Sequence, residues 1–362
     1  MKTVFTHITL CAFLLFASCV KEGDGSDPDP NLDTPVAMQG RVADVELETR
    51  AGATTSNMSG LHFAVYAVNH TDGETAYGTL PAGTRGEYEI QADGSAKGVE
   101  GNELWLVHQR ARIYAAHPAG TFEPSTKITS DNDTVPRLVI PTGAIVYQNT
   151  AAADANRKQL DFAAADSDYM YGVAYSNGAF GTGHPLADNG KLRPGEDRVN
   201  EWGPSVSFGF RHAFARICIV LKRGQDYNGS TSVTQVTYTR DMPGIDTNTR
   251  MNLHTGALEG LTTVASKAYT YDLSAMTDNK ITTAADDKVV IESYALPCGQ
   301  KASEFSVMVD GKEMKVAHSA DVAWEAGKVY VYTLSIKGTG LEMTGITMEG
   351  WTAGSSTGDV EI

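Results

Sequence analysis

Apolar and polar side chains alternate with a period of two along most of the chain, and a sustained helical period is missing. Val42-Ala43-Asp44-Val45-Glu46-Leu47, Leu61-His62-Phe63-Ala64-Val65-Tyr66-Ala67-Val68 and Val329-Tyr330-Val331-Tyr332-Thr333-Leu334-Ser335-Ile336 each alternate in this way, as half-buried strands do. The apolar runs Leu138-Val139-Ile140 and Val289-Val290-Ile291 predict strands covered on both faces. Turn chemistry separates them at Asp93-Gly94, Asn177-Gly178, Asn189-Gly190, Asn228-Gly229 and Asp310-Gly311. The last of these predicts a hairpin between residues 305–309 and 314–316. Residues 151–162, alanine-rich with Arg157, Lys158 and Leu160, predict one or two turns of helix. The pattern is that of an all-β protein of sandwich type with few short helices.

A polar stretch, residues 181–204, interrupts the alternation with His184-Pro185, Asn189-Gly190 and Pro194-Gly195. Structureless stretches of that length mark a boundary or a functional excursion. Strand signals resume at Val206-Ser207-Phe208-Gly209-Phe210. The length of 362 residues, 41% hydrophobic and 20% charged, suits about two domains. The expected division is 36–203 and 204–362. A net charge of −15 repels phosphate backbones and excludes nucleic-acid binding through a basic patch.

The amino terminus reads as an address. Lys2 precedes a mostly apolar stretch, residues 4–17, too short and interrupted to span a bilayer. It closes with Leu15-Phe16-Ala17-Ser18-Cys19, the way a bacterial lipoprotein signal ends. Residues 1–18 are thus expected to be a signal peptide and Cys19 the lipidated residue. The acidic, Gly/Pro-rich residues 19–35 then serve as a tether. Two cysteines remain beyond this region, Cys218 and Cys298; a bridge and two free thiols are both open.

Searching for chemistry yields little. No histidine pair has metal-ligand spacing, and His212, within Phe210-Arg211-His212-Ala213-Phe214, reads as a structural hydrogen-bonding residue at a strand start. Neither a Gly-x-Ser-x-Gly elbow nor a phosphate loop occurs. Asp161, Asp166 and Asp168 lack the calcium-loop pattern and read as a solvated loop. No catalytic residue, metal site or cofactor is expected, and the chain reads as a non-enzyme. Trp105, Trp202, Trp324 and Trp351 are the aromatics a surface binding module would present, Trp202 lying in the polar stretch.

One arginine stands out. Val45-Glu46-Leu47-Glu48-Thr49-Arg50 alternates and then opens into Ala51-Gly52-Ala53-Thr54-Thr55, a small-residue segment accessible to a trypsin-like protease. Cleavage between Arg50 and Ala51 would release a first strand. A sandwich deprived of a strand holds an apolar groove with unpaired backbone groups, which a strand of another subunit satisfies.

Several stretches, in order behind the lipobox, resemble the fimbrillin family of Bacteroidetes, the lipoprotein precursors of type V pili. They are Thr49-Arg50-Ala51, Trp105 with Ala111-Arg112-Ile113-Tyr114-Ala115-Ala116-His117-Pro118, and Asp168-Tyr169-Met170-Tyr171-Gly172. Further along come Phe208-Gly209-Phe210-Arg211-His212-Ala213-Phe214-Ala215-Arg216-Ile217 and Ala326-Gly327-Lys328-Val329-Tyr330-Val331-Tyr332-Thr333-Leu334, with Ile346-Thr347-Met348-Glu349-Gly350-Trp351 closing the series. The resemblance implies two β-sandwich domains of fimbrillin/transthyretin-like type, held on the outer membrane by lipid at Cys19 and exposed on the cell surface. It implies cleavage after Arg50, loss of the strand in the region of Val36 to Arg50, and strand exchange with other fimbrial subunits. The donor candidate is residues 351–362, with Trp351, Val360 and Ile362 as anchors and small residues between. The implied function is a pilin or an accessory or tip subunit contributing to adhesion. The alternative is a surface lipoprotein that does not polymerise and binds glycan or peptide.

Overall fold

The computed structural model describes residues 34–35, 37–42, 59–70, 85–107, 109–127, 134–145, 148–149, 159–160, 168–177, 179–190, 203–276, 278–284 and 287–351. Among them no residue is helical, so no helix is long and apolar enough to cross a membrane.

The amino-terminal unit is built from β1 (Ala37–Val42), β2 (His62–Asn69), β3 (Arg85–Ile90), β4 (Ser95–Gly98), β5 (Ala111–His117), β6 (Met170–Ser176) and β7 (Ser205–His212). They neighbour one another in the order β6-β7-β1-β4-β3-β2-β5, and β5 pairs back onto β6 through Met170↔His117 and Gly172↔Ala115. The sheet therefore closes on itself, which removes its free edges. All these pairs are antiparallel except β7 with β1, which run parallel from Ser205↔Ala37 to Phe210↔Val42.

Alternation explains the closure. Phe63, Val65, Tyr88, Ile90, Ile113, Ala115, Met170, Phe208 and Phe210 point into one buried cluster. Phe63 stacks on Tyr88 at 5.7 Å and meets the edge of Phe210 at 5.3 Å. Where β5, β6 and β7 crowd together the chain uses Gly172. A Cβ there would sit 2.8 Å from Cβ of Ala115 and 2.9 Å from the Phe208 ring.

The second unit is an open sandwich. β8 (Ala215–Arg223), β11 (Lys288–Ala295), β14 (Lys328–Lys337) and β15 (Gly340–Gly350) form one sheet; β9 (Val233–Met242), β10 (Ala265–Asp272), β12 (Lys301–Val309) and β13 (Lys312–Asp321) form the other. Short strands from the first half of the chain complete both: Gln148–Asn149 runs parallel to β10 and Gln159–Leu160 parallel to β11. Tyr238, Phe305, Trp324 and Tyr332 form the aromatic centre, with Tyr238 and Phe305 4.5 Å apart. A third sheet joins the halves, as Thr134–Val139 pairs with both Phe122–Lys127 and Arg250–Asn252.

Several expectations meet the structure directly. The all-β class is what the chain adopts, and the Asp310-Gly311 hairpin joins β12 to β13 with φ of 50° and 76° at its two central residues, the left-handed pair a tight hairpin requires. Val289-Val290-Ile291 is buried throughout, whereas Val139 is only half-buried between buried Leu138 and Ile140, because its strand lies in the small joining sheet. The helix expected over 151–162 is corrected at Gln159–Leu160, which is strand; the rest lies outside the described residues. The stretch expected to be a polar excursion is, over 179–190, part of the packing: Leu186–Ala187 pairs with β5, and His184, Asp188 and Asn189 are buried. The division at 203/204 does not coincide with sheet membership, since β7 belongs to the closed sheet. Asp168, expected in a solvated loop, is fully buried. Cys218 and Cys298 are free thiols, and burial pushes the Cys218 thiol upward.

Candidate functional site

β7 carries two jobs. Along its length, Ser205 to Phe210 pair with β1 on one edge, Phe208 to His212 pair with β6 on the other, and residues 208–210 are paired on both. At its end, His212 does not start a strand, as the sequence suggested, but closes one. Its Nδ1–H donates to Asp168 Oδ1 at 2.8 Å, with both side chains nearly inaccessible. A buried carboxylate needs such a donor, and Asp168 just ahead of β6 supplies the ring's orientation.

The imidazole of His212 then becomes a platform. The Trp351 indole lies flat on it, with centroids 3.9 Å apart and planes 2° from parallel, and Tyr294 stacks near the same indole at 5.5 Å. Backbone bonds hold the seat: Trp351 N–H donates to Gly327 O at 2.8 Å, and Gly327 N–H to Phe214 O at 2.9 Å. Beside the stack a cavity of about 330 Å³ is lined by Tyr171, Phe210, Arg211, His212, Gly327 and Trp351. The seam between the closed sheet and the sandwich thus brings β7, β6 and the end of β15 together.

A second contact crosses the seam. His184 is buried and donates from Nδ1 to Gly172 O at 3.0 Å, so its Nε2 lone pair accepts from Nδ1–H of His254 at 3.1 Å. Burial first, then the neighbouring His254, pushes His184 down to about 3. Tyr114 packs against it at 4.2 Å. Among the described residues no three His, Cys, Asp or Glu side chains come together as a metal site.

Of the residues singled out in the sequence, Trp351 is at the seam and buried. Trp324 is buried in the sandwich, while Trp105 is 41% exposed and pairs in register with Pro35. Cys19, Arg50, Ala51, Trp202, Val360 and Ile362 lie outside the described residues. His212 is the structural hydrogen-bonding residue the sequence suggested; the structure adds its partner Asp168, its stacking on Trp351 and the parallel β1–β7 pairing, which sequence reading missed. The available signal was that Asp168 and His212 each directly precede an apolar stretch, Tyr169-Met170 and Ala213-Phe214.

Fold and seam together define an all-β protein whose closed first sheet is completed by a strand, Ala37–Val42, that comes before all its other strands in the chain. Residues 195–351 match the family model described as fimbrillin-like, so the resemblance to fimbrillins holds over that stretch. No curated protein matches the chain. Among solved structures, a proposed cell adhesion protein of Bacteroides ovatus is similar with a TM-score of 0.54 at 15% identity, covering 89% of this chain and 99% of that one. A proposed cell adhesion protein of Bacteroides uniformis gives 0.46 at 15% identity, with 88% and 98% covered. The fimbrial anchor protein Mfa2 of Porphyromonas gingivalis gives 0.35 at 10% identity, with 88% and 98% covered. The first of these supports the shared fold.

Proposed function

We propose that this chain is a structural subunit of surface fimbriae, exported as a lipoprotein through Cys19, cut between Arg50 and Ala51, and assembled by strand exchange. The fimbrillin-like match over residues 195–351 supports the fimbrial, adhesive role. The observation that carries the exchange step is the place of β1. It precedes Arg50 in the chain, yet it is an interior stave, paired with β7 over six residues and with β4 beyond. Loss of residues up to Arg50 takes β1 away, opens the closed sheet and leaves the β7 backbone without one of its partners. Buried unpaired backbone groups are costly, so the opened unit is a strand acceptor. Residues 351–362 of a neighbouring subunit, with Trp351, Val360 and Ile362 as anchors, are the proposed donor, and the lipid at Cys19 holds the uncut form on the outer membrane.

Intact mass and amino-terminal sequencing of material from sheared fibres and from the membrane fraction test this. The expected result is a fibre form beginning at Ala51 and a membrane form beginning at acylated Cys19. Acylated Cys19 in both, with nothing sheared off, sinks the exchange step. The chain is then a surface lipoprotein that does not polymerise, and a glycan and peptide binding screen replaces the assembly assay.

A further inference from the structure

The strand that would lose its partner on processing is the same strand that seats the root of the proposed donor segment. β7 pairs with β1 up to Phe210↔Val42. Phe210 itself and the next two residues, Arg211 and His212, line the cavity at Trp351, and His212 carries the indole on its face. Only one residue of β7, Arg211, lies between the last β1-paired position and the stacked ring. Behind them, Met170 of β6 pairs with His212, and Asp168 locks the imidazole from the same side. On the far side, Trp351 is held by a backbone bond to Gly327, by its stacking contacts and by burial at the edge of the sandwich core.

We infer that the Trp351 seat is coupled to β1. While β1 closes the sheet, β7 is fixed on both edges and presents His212 to Trp351; withdrawal of β1 frees one edge of β7, misaligns His212 and releases Trp351. The acceptor groove and the donor root of one molecule then open together, and an uncut subunit keeps its Trp351 docked against its own seam. This rests on the strand-exchange reading of the function and adds its regulation: the partner competent to donate is a second, cut copy of this chain. His212 and Asp168 are positioning residues in this device, acting through the indole they support.

Amide hydrogen exchange on the intact chain and on the chain trimmed in vitro at Arg50 tests the coupling. Trimming is expected to speed exchange of the Trp351 amide by about tenfold or more, while Ile219 and Tyr332 in the sandwich keep their protection. Unchanged protection at Trp351 in a trimmed, folded chain overturns the inference. Coupling is reciprocal, which supplies a second arm that does not need the trimmed form to remain folded. In the intact chain, Trp351→Ala is expected to speed exchange in β1 and in residues 205–210 relative to β12, and Trp351→Phe, which keeps a ring on the His212 face, to speed it less. Exchange there that matches the unsubstituted chain overturns the coupling as well. Absence of processing in cells would sink the assembly reading and leave these exchange results standing, so the two failures are distinguishable.

Discussion

Two side chains show how single residues hold the sandwich. Arg240 in β9 is buried, donates to Gly299 O and Val322 O at 2.7 Å each, and lies 4.4 Å over the Trp324 ring. Arg240→Ala leaves two carbonyls without their donor and removes the cation from the indole, so the expected loss is roughly 2–4 kcal/mol. Urea unfolding measures it, and Arg240→Lys is expected to recover part. Asp310 accepts from the Tyr227 and Ser230 hydroxyls and from the Thr231 and Ser232 amides. Burial works against its charge, yet those donors, Ser230 foremost, hold its carboxyl down to about 2, against an ordinary 3.8. A depressed carboxylate contributes stability that is fully present above about pH 4 and is lost as pH falls through about 2. Asp310→Asn is expected to cost about 1 kcal/mol at neutral pH and to flatten that acid limb in melts from pH 5 to pH 2. An acid limb identical in both proteins rules the assignment out.

At the scale of elements, the closed sheet depends on how tightly its staves pack. Gly172 sits where β5, β6 and β7 meet, and a methyl group there meets Ala115 on one side and Phe208 on the other. Gly172→Ala is expected to destabilise the chain by about 1–3 kcal/mol through overpacking, read as a lowered denaturant midpoint with the slope kept. Ala115→Gly in the same chain, which removes one of the two methyls, is expected to restore part of it. Elements of this kind were partly legible beforehand. Leu61 to Val68 becomes β2 and the run from Val329 to Ile336 becomes most of β14, because their dense β-branched and aromatic content suits strands that are covered on both faces over much of their length. The strand at Leu186–Ala187 was hidden, since two residues flanked by Pro and Asp carry no period, and its pairing with β5 is set by the chain's return path.

For the whole molecule the seam matters most. His184 and His254 join the closed sheet to the second half of the chain, and protonating His184 would set two donors against each other. Its value in the fold is about 3, against 6.5 for an unconstrained histidine. The sign follows: a lowered value contributes stability present above about 6.5 and lost progressively as pH falls toward 3. Thermal melts are expected to drop over this window, and His184→Gln, which cannot take up the proton, to drop less. Equal slopes in the two proteins would remove His184 as the cause. The third sheet spans the same seam, with Arg137 on Glu259 and Arg250 on Glu123. These pairs are partly exposed, so their share is small and screened by salt.

The all-β class followed from the sequence alone, because period-two alternation with Asn-Gly and Asp-Gly turns admits few other folds. So did the short hairpin at Asp310-Gly311, whose turn is a local matter of two left-handed residues. The expected processing and lipid sites, Arg50 and Cys19, were equally local readings. What only the tertiary structure decided is non-local. That β1 is an interior stave parallel to β7, that β7 belongs with the first unit, and that Asp168, His212 and Trp351 meet all depend on contacts between residues some forty to a hundred and seventy positions apart. Periodicity reports which face of a strand is buried; it carries no information about which strand lies beside it or what its last side chain rests upon.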